Sequence, residues 1–217
     1  MIAPLRIPGA WMWSAWQPDR AMAFNSYLFE RPSPQGGEGS LVVDPLPLGE
    51  DAFQWISGRG GVHTVILTNR DHVRAAQTFR DRFGARVLAH SVEAPLFEIG
   101  IDATFADGEQ VFPGAYVIAL AHGKTPGEVA LHLPEVQSAL VGDALIGAPT
   151  GTLSLLPDEK LEDPAHFLLE LRRLWALRLD SLLLGDGQPI FSGADDALAT
   201  LLEQRGGPRS IASTPIK

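Results

Sequence analysis

Residues 61–90 read GVHTVILTNRDHVRAAQTFRDRFGARVLAH. The opening GVHTVILT is rich in β-branched residues, which pack well on a pleated buried surface, and it predicts a strand over residues 61–68. Val73, Ala76, Phe79 and Phe83 then recur at helical spacing, and Gly84 stands where a left-handed helix cap is wanted. RVLAH, residues 86–90, returns as a second strand. Strand, helix and strand at this length make a βαβ unit with parallel strands. Asn69, Arg70, Asp71 and His72 lie at the carboxyl end of its first strand, the end at which such units bind ligands.

Working outward, FNSYLFE (24–30) and LVVD (41–44) read as two strands joined by the Pro/Gly-rich loop RPSPQGGEGS. Downstream, ATFADGEQVF holds an Asp-Gly turn between short strands, and AYVIALA is a β-branched run. EVALHLP and SALVGDAL form a hairpin, so the middle of the chain is mostly antiparallel sheet. Asp163-Pro164 start a helix as N-cap and first-turn proline, and Phe167, Leu168, Leu171, Leu174 and Trp175 give it an apolar face. SLLLGDG is a further strand, a last helix covers about residues 194–205, and the tail PRSIASTPIK is expected to be loosely held. β-rich and helical blocks thus occur twice, which suggests sheets packed face to face with helices outside, in one domain spanning residues 1–217.

Composition narrows the function classes. Asp and Glu outnumber Lys and Arg by 26 to 17, and no basic run interrupts that balance, so nucleic acid is not the expected partner. No apolar stretch approaches the ~18 residues that span a bilayer, and MIAPLRIPGAWMWSAW lacks the basic start and continuous apolar core of a signal peptide. The expectation is a cytoplasmic protein with no membrane partner. With no cysteine in the chain, any metal must be held by His, Asp and Glu.

Three further strand ends carry groups that bind metals: His122 in LAHGKTPGEVAL, Asp143 in LVGDALIG and Asp186 in LLLGDGQPI. Each follows an apolar strand and has glycine beside it, which lets the backbone turn sharply. The order of these turns resembles the metallo-β-lactamase superfamily along nearly the whole chain. LVVDP resembles its first acidic motif, LTNRDH its second, AHGKTPGEVAL its third, VGDALIG its fourth and LLLGDGQPI its fifth. The resemblance implies an α/β four-layer αβ/βα sandwich, two mixed sheets face to face with helices outside, and a metal centre at one edge.

Two departures stand out. The family's second motif is H-x-H-x-D-H, its first two histidines holding one metal and its Asp-His pair another. If Asp71 and His72 are that pair, the histidine positions fall on Leu67 and Asn69. Alternatively the turn is two residues shorter and Asn69 replaces the first histidine. In the fifth motif Asp186 replaces a histidine. The resemblance therefore implies one divalent ion, zinc, iron or manganese, held by Asp71, His72, His122, Asp143 and Asp186. It also implies Asp71 and His122 as catalytic groups, Asn69 and Lys124 at the substrate, and Asp44 as a support for the second motif.

The bland alternatives are specific. Asp71 with His72 also suits a helix N-terminus, and GDG suits an ordinary tight turn. His63, His90, His132 and His166 read as sheet, strand-end or helix residues outside the site. Trp11, Trp13 and Trp16 read as a cluster for core packing or a homodimer contact. The leading expectation is a mononuclear metal-dependent hydrolase acting on a small ester, thioester or phosphoester. Beside it stand a pseudoenzyme binding a small anion or a protein partner, and an iron-dependent oxidoreductase.

Overall fold

A computed structural model of the chain describes residues 1–30 and 40–206. The loop expected at 31–39 and the tail from 207 lie outside the described residues. In chain order the strands and helices are β1 (Ala3–Pro4), β2 (Ala10–Gln17), β3 (Met22–Glu30), β4 (Ser40–Val43), α1 (Glu50–Ser57), β5 (Val62–Ile66), α2 (Ala76–Phe83), β6 (Arg86–His90) and β7 (Ala103–Phe105). They continue with β8 (Gln110–Phe112), β9 (Ala115–Ala119), β10 (Val129–Leu133), β11 (Ser138–Gly147), α3 (Pro164–Trp175), β12 (Ser181–Gly187) and α4 (Ala194–Gln204).

The strands hydrogen-bond in the order β7-β6-β5-β4-β3-β12-β11-β10-β9-β8, with β2 also pairing β3. The seam between the two halves is thin, since β12 and β3 share one register pair, Asp186 with Phe24. There the sheet folds over on itself. Tyr27, Phe29, Leu41, Val43 and Ile66 from one half pack with Val117, Val129, Leu131, Leu140 and Leu183 from the other.

Outside one half, Phe53 and Ile56 of α1 and Ala76 and Phe79 of α2 pack on Val42, Val65 and Val87. Outside the other, Phe167, Leu171 and Leu174 of α3 and Leu198, Leu201 and Leu202 of α4 cover Ala139, Val141 and Leu184. The four-layer αβ/βα arrangement expected from the repeated blocks is what forms. Its inward strand residues are apolar on both faces, as a sheet buried on both sides requires.

β5 and β6 are parallel, as the βαβ reading requires. The helix after β5 nevertheless begins later than the apolar spacing predicts. Arg70–His72 form one 3-10 turn, Arg74 sits at φ +42°, and α2 starts only at Ala76. A left-handed residue cannot be part of an α-helix, so Arg74 ends the turn and aims its own side chain elsewhere. Gly84 caps α2 in the left-handed conformation, as its position predicts.

The tryptophans divide. Trp13 is core and stacks on Phe79, Trp11 packs against the same apolar cluster and meets Trp55 edge to face, and Trp16, on the opposite face of β2, is exposed. α1 and β2 are elements that the apolar spacing of the sequence does not announce. Among the described residues no helix is long and apolar enough to cross a membrane.

Candidate active site

The carboxyl ends of β4, β5, β11 and β12 meet at one edge of the sandwich, and His72 is the hub. Its Nδ1 lies 2.8 Å from Asp44 Oδ2 and its Nε2 2.9 Å from Asp143 Oδ1, with all three residues buried. Asp44, at φ +50°, also accepts Thr68 N–H at 2.9 Å and the Thr68 hydroxyl at 2.6 Å. This is the supporting role expected of Asp44. Gly142 of β11 makes the packing feasible, because a Cβ there would collide with Thr68 Oγ1.

Two side-chain cations reach into the same cluster. Lys124 Nζ is 2.5 Å from Asp143 Oδ2 and 2.6 Å from Asp71 Oδ2. Arg74 places one terminal nitrogen 3.2 Å from His72 Nε2 and 3.4 Å from Asp186 Oδ1. Its other terminal nitrogen donates to the Asn25 and Asp44 carbonyls at 2.9 and 3.3 Å, and its guanidinium lies 5.0 Å from the Phe24 ring centre. Beneath them Glu128, also buried, accepts Ala144 N–H at 2.9 Å.

These charges tune one another. Burial opposes a charged His72, but Asp44 and Asp143 outweigh it and raise its pKa from 6.5 to about 10. Both ring nitrogens then carry hydrogen and donate to the two carboxylates. Burial would raise Asp143, yet His72 and Lys124 hold it far below the usual carboxylate range. Burial likewise opposes charge on Lys124, and its bonds to Asp143 and Asp71 still raise its pKa. For Asp186 burial, then the charge of Asp143, outweigh the nearby His72, Arg74 and Arg20 and lift it to about 6. Glu128 rises to about 8 for the same two reasons.

Asp71, His72, Asp143, Asp186, Lys124 and Arg74 line a cleft of about 370 Å³, together with Gln17, Arg20 and the apolar Phe24, Leu46 and Pro47. Of the residues expected there, His122 is not brought in. It takes a left-handed backbone at φ +64°, and its ring lies half-exposed beside Glu162 and His166, away from the cluster. The third-motif residue that does arrive is Lys124. Asn69 is another correction: its side chain is buried, with Oδ1 accepting Asp71 N–H and Nδ2 3.4 Å from Glu128, so it faces inward and not the cleft.

Arg74 and Glu128 belong to the site although no sequence motif singles them out. Arg74 is hidden inside an apparent helix start. Glu128 is legible only as an acid within an apolar strand, where burial needs a partner.

His72, Asp143 and Asp186 offer three donor atoms within 4.8 Å of one another, a spacing suited to one ion. As folded, however, these donors are engaged. Nε2 of His72 is bonded to Asp143, Arg74 lies against both His72 and Asp186, and Lys124 joins Asp71 to Asp143. A second ion finds no histidine at the positions of Leu67 and Asn69, and the carboxylates of Asp71 and Asp143 that remain are joined by Lys124. The residues as arranged do not fit the metal that the fold implies.

Comparison with known proteins agrees with the architecture. Residues 2–204 match the family described as the metallo-beta-lactamase superfamily. A hydroxyacylglutathione hydrolase of Acidiphilium cryptum is 30% identical over 152 residues, which are 68% of this chain and 59% of that protein. One from Rhizobium meliloti is 35% identical over 100 residues, 44% of this chain and 39% of that protein. The chain thus spans about three-fifths or less of the length of these relatives.

A metallo-beta-lactamase from Pontibacter korlensis superposes with a TM-score of 0.74 at 16% identity, over 94% of this chain and 98% of that one. The metallo-beta-lactamase FIM-1 from Pseudomonas aeruginosa, solved in a mono-zinc form, gives 0.71 at 16% identity, over 96% of each chain. A further neighbour, 22% identical with a TM-score of 0.65 over 90% of this chain and 98% of that one, was solved in a di-iron-bound form. Two of these neighbours were thus solved with zinc or iron, and by the match over residues 2–204 the chain belongs to the metallo-β-lactamase superfamily.

Proposed function

We propose that this chain is a hydrolase of small esters or thioesters, with the cleft around Lys124 and Asp186 as its site. The observation that carries the proposal is the pairing of an unsatisfied carboxylate with an anchored cation across one small cleft. Asp186 has a single hydrogen bond among the described residues, the long one to Arg74, whereas Lys124 is held on two carboxylates and remains partly exposed. A hydrolase reading is further supported by the relatives in Acidiphilium and Rhizobium, whose name denotes cleavage of an acylated thiol.

In this reading Asp186 takes a proton from water as the water oxygen adds to the acyl carbon. Lys124 donates to the acyl oxygen, where negative charge develops. The acyl–oxygen or acyl–sulfur bond then breaks, its electron pair leaving on the oxygen or sulfur, and the proton held by Asp186 passes to that atom to give the alcohol or thiol. Phe24, Leu46 and Pro47 hold the apolar part of the substrate, and Arg20 meets an acidic group at its far end. His72, clamped between Asp44 and Asp143, keeps the cluster rigid and takes no proton.

The test is a panel of p-nitrophenyl esters and acylated thiols, assayed with the full chain purified without added metal. Turnover that disappears in both Asp186→Asn and Lys124→Met is expected; rates on every substrate equal to those of the two variants would overturn the proposal. A second reading, binding of a small carboxylate without turnover, is favoured by the engagement of Lys124 on both Asp71 and Asp143. A ligand that raises the melting temperature but is never hydrolysed would select it.

A further inference from the structure

We infer that Lys124 and Arg74 occupy the two cation positions of this cleft as side chains, so that the folded protein takes up no transition-metal ion. The inference is independent of which substrate the cleft accepts, and it starts from space. An ion bound to both His72 Nε2 and Asp186 would sit ~2 Å from each donor. The nitrogen of Arg74 is already 3.2 and 3.4 Å from those atoms, on the cleft side they share. A guanidinium that close to both donors takes up the space an ion would need and repels a second cation there.

Arg74 is also not free to swing aside. Two backbone carbonyls, from Asn25 and Asp44, hold its other nitrogen, the Phe24 ring lies beside it, and its side chain is 9% exposed. Its left-handed backbone, at φ +42°, turns the side chain toward the cleft.

The other position is closed in the same way. Lys124 Nζ links Asp71 to Asp143, the carboxylates an ion would otherwise join. It does so from the strand end that the third motif supplies, GKTPGE, where His122 is turned away. Charge also closes without an ion. Arg20, Arg74 and Lys124 face Asp71, Asp143 and Asp186, three against three, around one cleft. Side-chain cations in these positions give Asp71, Asp143 and Asp186 each a cationic neighbour, the condition under which buried charge is tolerated.

The test measures metal and stability in the full chain, not turnover. Protein purified without chelator, and again after incubation with zinc, manganese or ferrous iron and desalting, is analysed for bound metal. Wild type is expected to hold below about 0.1 equivalent, with a melting temperature that chelator moves by less than about 1 °C. Arg74→Gln, which removes the guanidinium from beside His72 and Asp186, is expected to gain zinc and a zinc-dependent rise in melting temperature.

About one equivalent of any of these ions on wild type, with stability lost to chelator, would overturn the inference, and so would an Arg74→Gln protein that takes up no more zinc than wild type. The wild-type measurement decides by itself if that variant does not fold. A metal-loaded, active wild type would sink this inference and leave the hydrolase proposal standing; a metal-free, inert one would do the opposite.

Discussion

Lys124 and Asp143 stand 2.5 Å apart, an ammonium donating to a carboxylate that His72 holds from its other side. Asp143 is buried within β11, where its register with β12 shifts, so its charge is tolerated only while both donors remain. Lys124→Met keeps the length of the side chain and removes the charge. It is expected to cost about 2 kcal/mol in urea unfolding at neutral pH, less than a fully buried pair because Lys124 is partly exposed. A loss under about 0.5 kcal/mol would show that Asp143 is satisfied by His72 alone.

The acidic residue behind the hub should matter more than the one in front. Asp44 accepts from Thr68 twice and from His72 once, all within buried space. Asp44→Ala takes one of its two carboxylates from the imidazolium and leaves the Thr68 backbone N–H without its acceptor, at a cost of about 3 kcal/mol or more. Asp44→Asn retains an acceptor and tolerates the left-handed backbone, so it should cost clearly less. Equal losses in the two variants, read from denaturant midpoints, would mean the charge of Asp44 is what counts and the bond to Thr68 is not.

The same cluster sets how stability follows pH. His72 is protonated in the fold up to about pH 10 but only to about 6.5 when free, so its contribution is complete below 6.5 and is lost as pH climbs toward 10. Glu128, raised to about 8, and Asp186, raised to about 6, act in the same direction, because each binds its proton better inside the fold. Asp143, held low, opposes them only in acid, where its contribution fades as pH falls below the ordinary carboxylate value. Melting temperature should therefore peak near roughly pH 5 and decline steadily to pH 10. His72→Gln should flatten the alkaline part of that decline; a wild-type profile level from pH 6 to 10 would refute the assignment.

Residues differ in how openly the sequence displays their roles. Val65, Ile66, Phe79 and Leu171 announce their layers, because burial of one face imposes a period that sequence displays directly. Asp44, Asp71, His72, Asp143 and Asp186 are legible as strand-end acids and a histidine, and His72, Asp143 and Asp186 do converge. The outward turn of His122 and the inward turn of Asn69 are not legible; in HGK, for instance, two nearby candidates differ only by which one the backbone aims inward. A left-handed φ at His122 decides that, and no periodicity encodes it. Arg74 is invisible for the same reason: its role comes from a backbone reversal inside a stretch whose apolar spacing reads as helix.

Asp186 gives the sharpest test of the chemistry. It lies on the single register pair that joins the two halves of the sheet, so its backbone is fixed while its carboxylate faces the cleft. Burial and the charge of Asp143 raise it to about 6, which leaves it ionised, yet basic enough to accept a proton, at neutral pH. The hydrolytic rate should therefore rise with pH through about 6 and level off above it. Asp186→Asn preserves size and the contact with Arg74 while removing the base, and should lower kcat by at least about 100-fold with little change in KM. Asp186→Glu should restore part of the rate with a shifted acidic limb, an outcome that a merely structural residue would not give. An Asp186→Asn protein with an unaltered pH–rate profile would assign the proton transfer elsewhere, with Asp71, the other acid lining the cleft on the far side of Lys124, as the group to replace next.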